Sequence, residues 1–483
     1  MNEREFDQLL YQGAAQIPSE ALPDQPPQPW RKPMSFICWG LALSSFSLNF
    51  FYLNYLLPAV GVVLLWLGFR MLRRTNSALR FAWVIATLLT IFRLSVTVLQ
   101  ATPLSPKLTS GLGVVLFLTE TFLTWLLYIG LWQGLKEVFR SAGLPPKTRA
   151  AGFLVLWYSI LVPLAWLEVQ GFLLVLPMIL LWIVILICLY RTGHGLDEAG
   201  YTITPVSVHL SNRHCLALWL GIPAAAILLF MFCFQRLPMD VSEAELPSTA
   251  QSELREELTE LGFPEALLAD LTDQEVEKLQ GARYIEATGL SSANDENDEL
   301  EKLADGFVMV VFPDDRLQFY YWFSWTEEPE HRLMDGIEVD PFHQSGYLTH
   351  ISKDHLQGRL LWEEDGRTLQ ATLSGERAQN YWWTAGPFTS AHSAHDIYSV
   401  DFSLPKNGTN IRGYVAWQAH PTHPSQRLNF NSYAGYTHQI SLFNYPWQTP
   451  SDYEHTSRIS SDLRFPQHQS LVLFQYPGYS TEE

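Results

Sequence analysis

Few residues in this chain have the type and spacing to do chemistry. "HSAHD" (392–396) and "HPTH" (420–423) each set two histidines three apart. Neutral imidazoles ligate zinc, but a strand would send residues three apart to opposite faces and a loop fixes no geometry. No HExxH, GxSxG or phosphate-cradling glycine loop occurs, and no Ser/His/Asp order stands out. The sequence therefore predicts no catalytic residue, no metal and no cofactor. Three other sets remain. Arg93 and Glu120 lie within apolar stretches, where an ionisable side chain is a functional candidate and a structural ion pair is the plainer reading. Tyr320 and Trp322, with Tyr381, Trp382 and Trp383, are aromatic clusters whose ring faces suit the C–H faces of a sugar and equally suit a core. Phe6, Leu9 and Leu10 share one face of a short helix in "EREFDQLLYQGAAQIP", which could dock a cytoplasmic protein or lie on the bilayer.

The elements that must position these residues follow from charge and hydropathy. The chain has 483 residues and a formal charge of −18. Of its 31 Lys/Arg and 49 Asp/Glu, 16 and 10 lie in residues 1–236, giving +6, and the remaining 15 and 39 give −24. The acidic second half is a poor partner for nucleic acid. All four cysteines precede residue 234, so the second half has no disulfide framework.

A helix needs about 20 apolar residues to cross ~30 Å of hydrocarbon. Ser35–Phe69 is uncharged over 35 positions, too long for one span, with Asn49, Asn54 and Pro58 offering a turn. Reading it as a hairpin predicts seven spans, near 35–52, 54–69, 78–99, 111–133, 150–167, 171–190 and 215–234. The basic residues then sort to one side. Arg31 and Lys32 precede span one, Arg70, Arg73, Arg74 and Arg80 separate spans two and three, and Lys136, Arg140, Lys147 and Arg149 separate four and five. By the positive-inside rule the N-terminus is cytoplasmic and residues 237–483 lie outside the cell membrane. The opening tail, residues 1–33, is acidic and Pro-rich and does not read as a cleavable signal. Arg93 and Glu120 fall about 10–14 Å below the outer end of their spans, at matching depth for a pair.

After the spans, residues 237–300 read as a helical connector and an acidic linker. Ser248–Gln251 and Thr272–Glu275 both fit capping boxes, and Gly262 and Gly281 fit as stops. "SSANDENDELE" lacks the glycine and terminal glutamate of a calcium loop. From Phe307 the period becomes two. Hairpins are expected in "FVMVVFPDDRLQFYYWFSW", at Asp365–Gly366, and in "IYSVDFSLPKNGTNIRGYVAWQA", with a late strand in "QSLVLFQY". The expected fold is an α-helical membrane domain followed by a mainly β, antiparallel sandwich-like extracytoplasmic domain over 301–483.

In plan the chain resembles uncharacterised bacterial multi-pass proteins, including membrane-anchored regulators of the anti-sigma kind. That resemblance rests on the architecture and on the tail "FDQLLYQGAAQIP…PWRKP", and it carries over no active-site residue. "LGFPEALLADL" is similar over eleven residues to a ubiquitin-associated helix, against which an outside location argues. The expected function is a membrane sensor or regulator. Its partners would be the bilayer, a cytoplasmic protein bound through residues 1–18, and a carbohydrate or envelope ligand outside. A scaffold, a membrane enzyme and a transporter are the alternatives.

Overall fold

The computed structural model describes residues 29–45, 53–104, 111–145, 147–166, 172–199, 201, 203, 210–245, 247–248, 251–289, 291–292, 299–340, 348–350, 356–378, 382–386, 389–392, 397–421, 423, 427–457 and 464–477. The chain divides into two compact units, Met1–Leu99 with Lys107–Ile227, and Gln100–Pro106 with Leu228–Glu483.

The first unit is helical. Its elements are α1 (Arg31–Ser45), α2 (Leu53–Leu72), α3 (Ser77–Leu99), α4 (Gly111–Ser141), α5 (Arg149–Trp166), α6 (Phe172–Glu198) and α7 (Asn212–Cys233), the last of which ends in the second unit. Among the described residues five helices are long and apolar enough to cross a bilayer: α2, α3, α4, α6 and α7. The expected hairpin over 35–69 is two antiparallel helices, α1 and α2, joined at glycines. A Cβ on Gly40 would sit 2.7 Å from the Gly61 carbonyl oxygen, and one on Gly61 2.7 Å from the Ser44 nitrogen. Small residues let two backbones approach this closely where no hydrophobic effect drives helices together. The arginine-rich stretch is less of a loop than its charge suggests. Arg70 closes α2, where it is buried and donates to Asn212 Oδ1 and the Leu210 carbonyl, while Arg73 covers the ring of Trp83. Asn76 caps α3 through the Leu79 N–H, at 2.8 Å. Apolar side chains on the outer helices, among them Phe117, Phe122, Leu180, Ile222 and Phe232, point away from the protein, as a bilayer solvent requires.

The second unit is mostly β. Its strands are β1 (Val241–Glu243), β2 (Tyr284–Ala287), β3 (Ser291–Ser292), β4 (Leu303–Val311), β5 (Leu317–Trp325), β6 (Met334–Asp340), β7 (Leu348–His350), β8 (Leu356–Glu364), β9 (Arg367–Ala378), β10 (Trp382–Gly386), β11 (Thr389–His392), β12 (Ile397–Ser403), β13 (Thr409–Pro421), β14 (Leu428–His438) and β15 (Gln467–Tyr476). β10 and β11 pair alone, and the others form one antiparallel sheet in the order β15-β14-β6-β12-β9-β8-β13-β5-β4-β2, with short strands β1, β3 and β7 appended. The sheet folds over, so that Phe474 of β15 meets Phe307 of β4 and Phe319 of β5 across one core. Leu317, Phe319, Tyr321, Phe323 and Trp325 share the core face of β5, as period-two reading requires.

The turns at Asp314–Asp315 and Asp365–Gly366 form where expected. Asp315, Asp365 and Gly366 have φ of 64°, 53° and 73°, values Asp and Gly tolerate better than most residues. The third expected hairpin does not form. β12 pairs with β6 and β9, whereas β13 pairs with β5, β7 and β8. Its apparent turn residues carry a crossover between two parts of the sheet, and adjacent strands with a polar link cannot be told from a hairpin by pattern alone. The connector helices are α8 (Ser252–Glu260), α9 (Glu265–Asp270) and α10 (Asp273–Glu277). Thr272 and Glu275 make both limbs of the capping box. The box at Ser248 does not form, because the Ser248 N–H goes instead to the Asp273 carboxylate at 3.1 Å and Gln251 caps without a side-chain bond. A last helix, α11 (Pro450–Ser457), begins beside Asp401.

Candidate functional site

Arg93 on α3 and Glu120 on α4 meet. Arg93 Nη1 donates to Glu120 Oε1 at 2.9 Å and Oε2 at 2.8 Å. Both helices are apolar along their length, so each charge would be costly in lipid without the other. Glu120 also lines a cavity of about 470 Å³ within the helical unit, walled by all of α1 to α6. Ser44 and Ser45 come from α1, Thr124 and Tyr128 from α4, Trp157 and Tyr158 from α5, and Trp182 from α6. The wall is mainly apolar and aromatic. Tyr128 and Tyr158 meet edge to face at 5.3 Å, and the Trp125 indole donates to Ser159 just beyond, joining α4 to α5. Trp182 is 7% exposed, and its indole N–H is buried without a hydrogen-bond partner among the described residues. A cavity of this size, apolar with a few convergent polar groups, is suited to a small ligand.

The aromatic residues behave differently. Tyr320 and Trp322 do not form an open binding face. They are 5% and 7% exposed and lie under the connector helices, packed with Phe263, Leu267, Leu268 and Val276. The face of β5 turned away from the main core is thus filled by the chain's own connector. Phe263 meets Tyr320 edge to face at 5.7 Å. Two arginines fasten the connector down. Arg412 Nε reaches both Asp270 oxygens at 2.9 and 3.0 Å, and Arg359 donates to Glu275, to the Asp270 carbonyl and to the Tyr414 hydroxyl. Trp382 and Trp383 lie on β10, opposite His392 and Ala391 of β11; their side chains, and the whole of Tyr381, lie outside the described residues. Phe6, Leu9 and Leu10 also lie outside them.

Sequence reading missed a buried ionic cluster in the β unit. Asp335 on β6 and His438 on β14 are register partners, both fully buried, with His438 Nδ1 2.6 Å from Asp335 Oδ1. The Tyr436 hydroxyl donates to the other Asp335 oxygen and receives the Trp325 indole N–H at 3.2 Å. On the far side, His438 Nε2 lies 3.4 Å from Glu299, an ion-pair distance rather than a hydrogen bond, and Glu299 also holds the backbone and ring nitrogens of His331 at 2.8 Å. Burial alone would push the His438 ring down, but the Asp335 carboxylate and then Glu299 hold it up at about 9. Burial would raise the Glu299 carboxyl, yet His438 and His331 hold it down at about 2. The signal was present: Asp335 shares the core-facing parity of Ile337 and Val339, and His438 that of Ala434 and Tyr436.

A second cluster joins Asp305, Tyr321, His468 and Ser470. Ser470 Oγ donates to Asp305 Oδ2 at 2.6 Å and lies 3.1 Å from His468 Nε2, which is itself 3.3 Å from Asp305 Oδ1. A nucleophilic triad needs the imidazole between serine and carboxylate, with one nitrogen to each. Here both partners meet the same nitrogen, so the ring cannot pass the serine proton toward the acid. Among the described residues no group of three or more His, Cys, Asp or Glu side chains is arranged to hold a metal ion. The chain matches no protein-family model and no curated protein.

Proposed function

We propose that this protein is a multi-pass membrane sensor or regulator, with seven spans, a cytoplasmic N-terminus and an extracytoplasmic β domain. The observation that carries the reading is the membership of Gln100–Pro106 in the β unit. The Trp447 backbone N–H donates to the Gln100 carbonyl at 2.7 Å, and the Tyr445 hydroxyl lies 3.3 Å from Gln100 Oε1. This segment follows α3 directly, so the chain joins the β domain covalently to the helix that carries Arg93. A change in the outer domain has a covalent route into the spans.

The same membership supports the span count. The 100–106 segment and the end of α7 share one compact unit, which supports an even number of crossings between them. Of the intervening helices α4, α6 and α7 are long enough to span alone, and three crossings would separate what is joined. Counting α5 makes four. Adding α1 as partner of α2 gives seven and returns Arg31, Lys32 and the arginines after α2 to the cytoplasmic side.

In this reading residues 1–18 dock a cytoplasmic protein through Phe6, Leu9 and Leu10, and the outer ligand, a carbohydrate or envelope component, meets the hairpin bearing Trp382 and Trp383. Recovery of cytoplasmic proteins crosslinked to the intact chain tests it. A specific partner, lost when Phe6, Leu9 and Leu10 are all replaced by Ser, is the expected result. A peptide of residues 1–18 that binds anionic vesicles strongly and recovers no protein would end the regulatory reading.

A further inference from the structure

We infer that the cavity between α1 and α6 is a binding site for a neutral, hydroxyl-bearing membrane amphiphile, a long-chain alcohol in its simplest form. The inference is independent of what the tail binds. Three properties select this chemistry. The volume, about 470 Å³, falls within the range of small-ligand pockets, and its wall is mostly apolar, which suits a chain dissolved in lipid. The charge at its edge is already balanced, because Glu120 faces Arg93; a charged headgroup would arrive with no counter-charge and a desolvation cost. The hydrogen-bonding capacity is not balanced. A carboxylate offers about four lone-pair sites, of which Arg93 Nη1 uses two. A hydroxyl both donates and accepts. It is thus the smallest neutral group that could donate to the unfilled Glu120 acceptor, which an alkane cannot do.

The depths agree. Glu120 lies nine residues into α4, Trp182 ten residues into α6 and Trp157 nine residues before the end of α5, which at 1.5 Å per residue puts all three about 14–15 Å along their helices. In alternating helices those positions fall at one level, near the middle of a bilayer.

The test uses the full chain in membranes and two photoactivatable probes, a diazirine-bearing hexadecanol and the matching diazirine-bearing alkane without the hydroxyl. The expected result is alcohol labelling concentrated on the lining segments of α4, α5 and α6 and competed by unlabelled hexadecanol, with the alkane showing no such preference. Replacing both Arg93 and Glu120 by Leu keeps the charge balanced and removes the acceptor. It should cut alcohol labelling about fivefold, the value of one ordinary hydrogen bond, and leave alkane labelling unchanged. Thr124→Trp fills the cavity and should abolish the site's alcohol labelling while labelling at outward-facing Phe117 and Phe122 persists, which also shows that the variant is folded. Equal labelling of lining and outward faces by the alcohol, or alcohol labelling unaffected by the double replacement of Arg93 and Glu120, overturns the assignment.

Discussion

The helical unit and the β unit place charge inside apolar surroundings in two different ways. In the helices, Arg93 and Glu120 answer each other directly, on two elements that each bury one apolar face in the helical core and expose another. In the β unit, Asp335 and His438 sit in a mesh that reaches Glu299, His331, Tyr436 and Trp325. The difference follows from geometry. Two adjacent helices present one side chain each at a given level. A sheet that folds on itself brings register partners and their diagonal neighbours to one point, so more lone pairs can be filled. The helical pair is left with spare capacity facing a cavity, whereas in the β cluster both Asp335 oxygens are engaged and His438 Nε2 meets Glu299 at ion-pair distance.

The contrast can be broken at several points. Asp335→Ala leaves an imidazole and a phenol buried without their common acceptor and should cost about 3–5 kcal/mol, the usual penalty for breaking a buried pair. Thermal melting of the purified chain, followed by loss of β signal, checks it; an unchanged melt would mean the mesh is looser than its geometry. Arg93→Leu should cost about 2.5–3.5 kcal/mol through the unpaired Glu120 at depth. Replacing both Arg93 and Glu120 by Leu should recover much of that, and a double variant no better than the single would show that the two charges are independent. Gly61→Leu forces α1 away from α2 and should cost about 1–3 kcal/mol, an overpacking effect, seen as reduced extraction of folded protein. Thr272→Ala removes one limb of a capping box on an exposed connector and should cost only about 1 kcal/mol.

The buried groups of the β unit give it a pH dependence that sharpens the same contrast. His438 is held at about 9, above its ordinary 6.5, so its contribution is complete below 6.5 and is lost as pH rises through 9. Glu299 is held at about 2, below its ordinary 4.5, so its contribution is complete above 4.5 and is lost as pH falls through 2. Asp401 works the other way. Burial raises it to about 6 against hydrogen bonds from Ser451 and Thr449, so its deprotonation costs stability as pH rises toward and past 6. Unfolding of the β unit followed from pH 3 to 10 should therefore show stability falling on the alkaline side, and Asp335→Ala should flatten that fall.

Much of this was open to reading from residues. The apolar runs, the hairpin over 35–69, the Arg93–Glu120 depth match and the core face of β5 all follow from one period or one length. What escaped depends on contacts far apart in sequence. Tyr320 and Trp322 look like half of an exposed aromatic face until the connector, some fifty residues earlier, is folded over them. The link from β12 to β13 has turn residues but joins strands that do not pair. Asp335 and His438 each stand on a core-facing parity, yet only the register of β6 with β14 shows that they meet. The expectation of seven spans comes from apolar run lengths with the 35–69 stretch read as a hairpin, whereas five helices among the described residues are long and apolar enough to cross a bilayer.

The central claim is that the segment after α3 and the β domain lie together on the outer side. Single cysteines in a background free of Cys38, Cys188, Cys215 and Cys233 test it most directly, at Thr75 in the turn after α2, at the exposed Leu104 and at Ser390 on β11. With a membrane-impermeant maleimide on intact cells, Leu104→Cys and Ser390→Cys should be labelled, and Thr75→Cys only after permeabilisation. Labelling of Thr75→Cys and Ser390→Cys from the same side, or of Leu104→Cys and Ser390→Cys from opposite sides, would contradict the account.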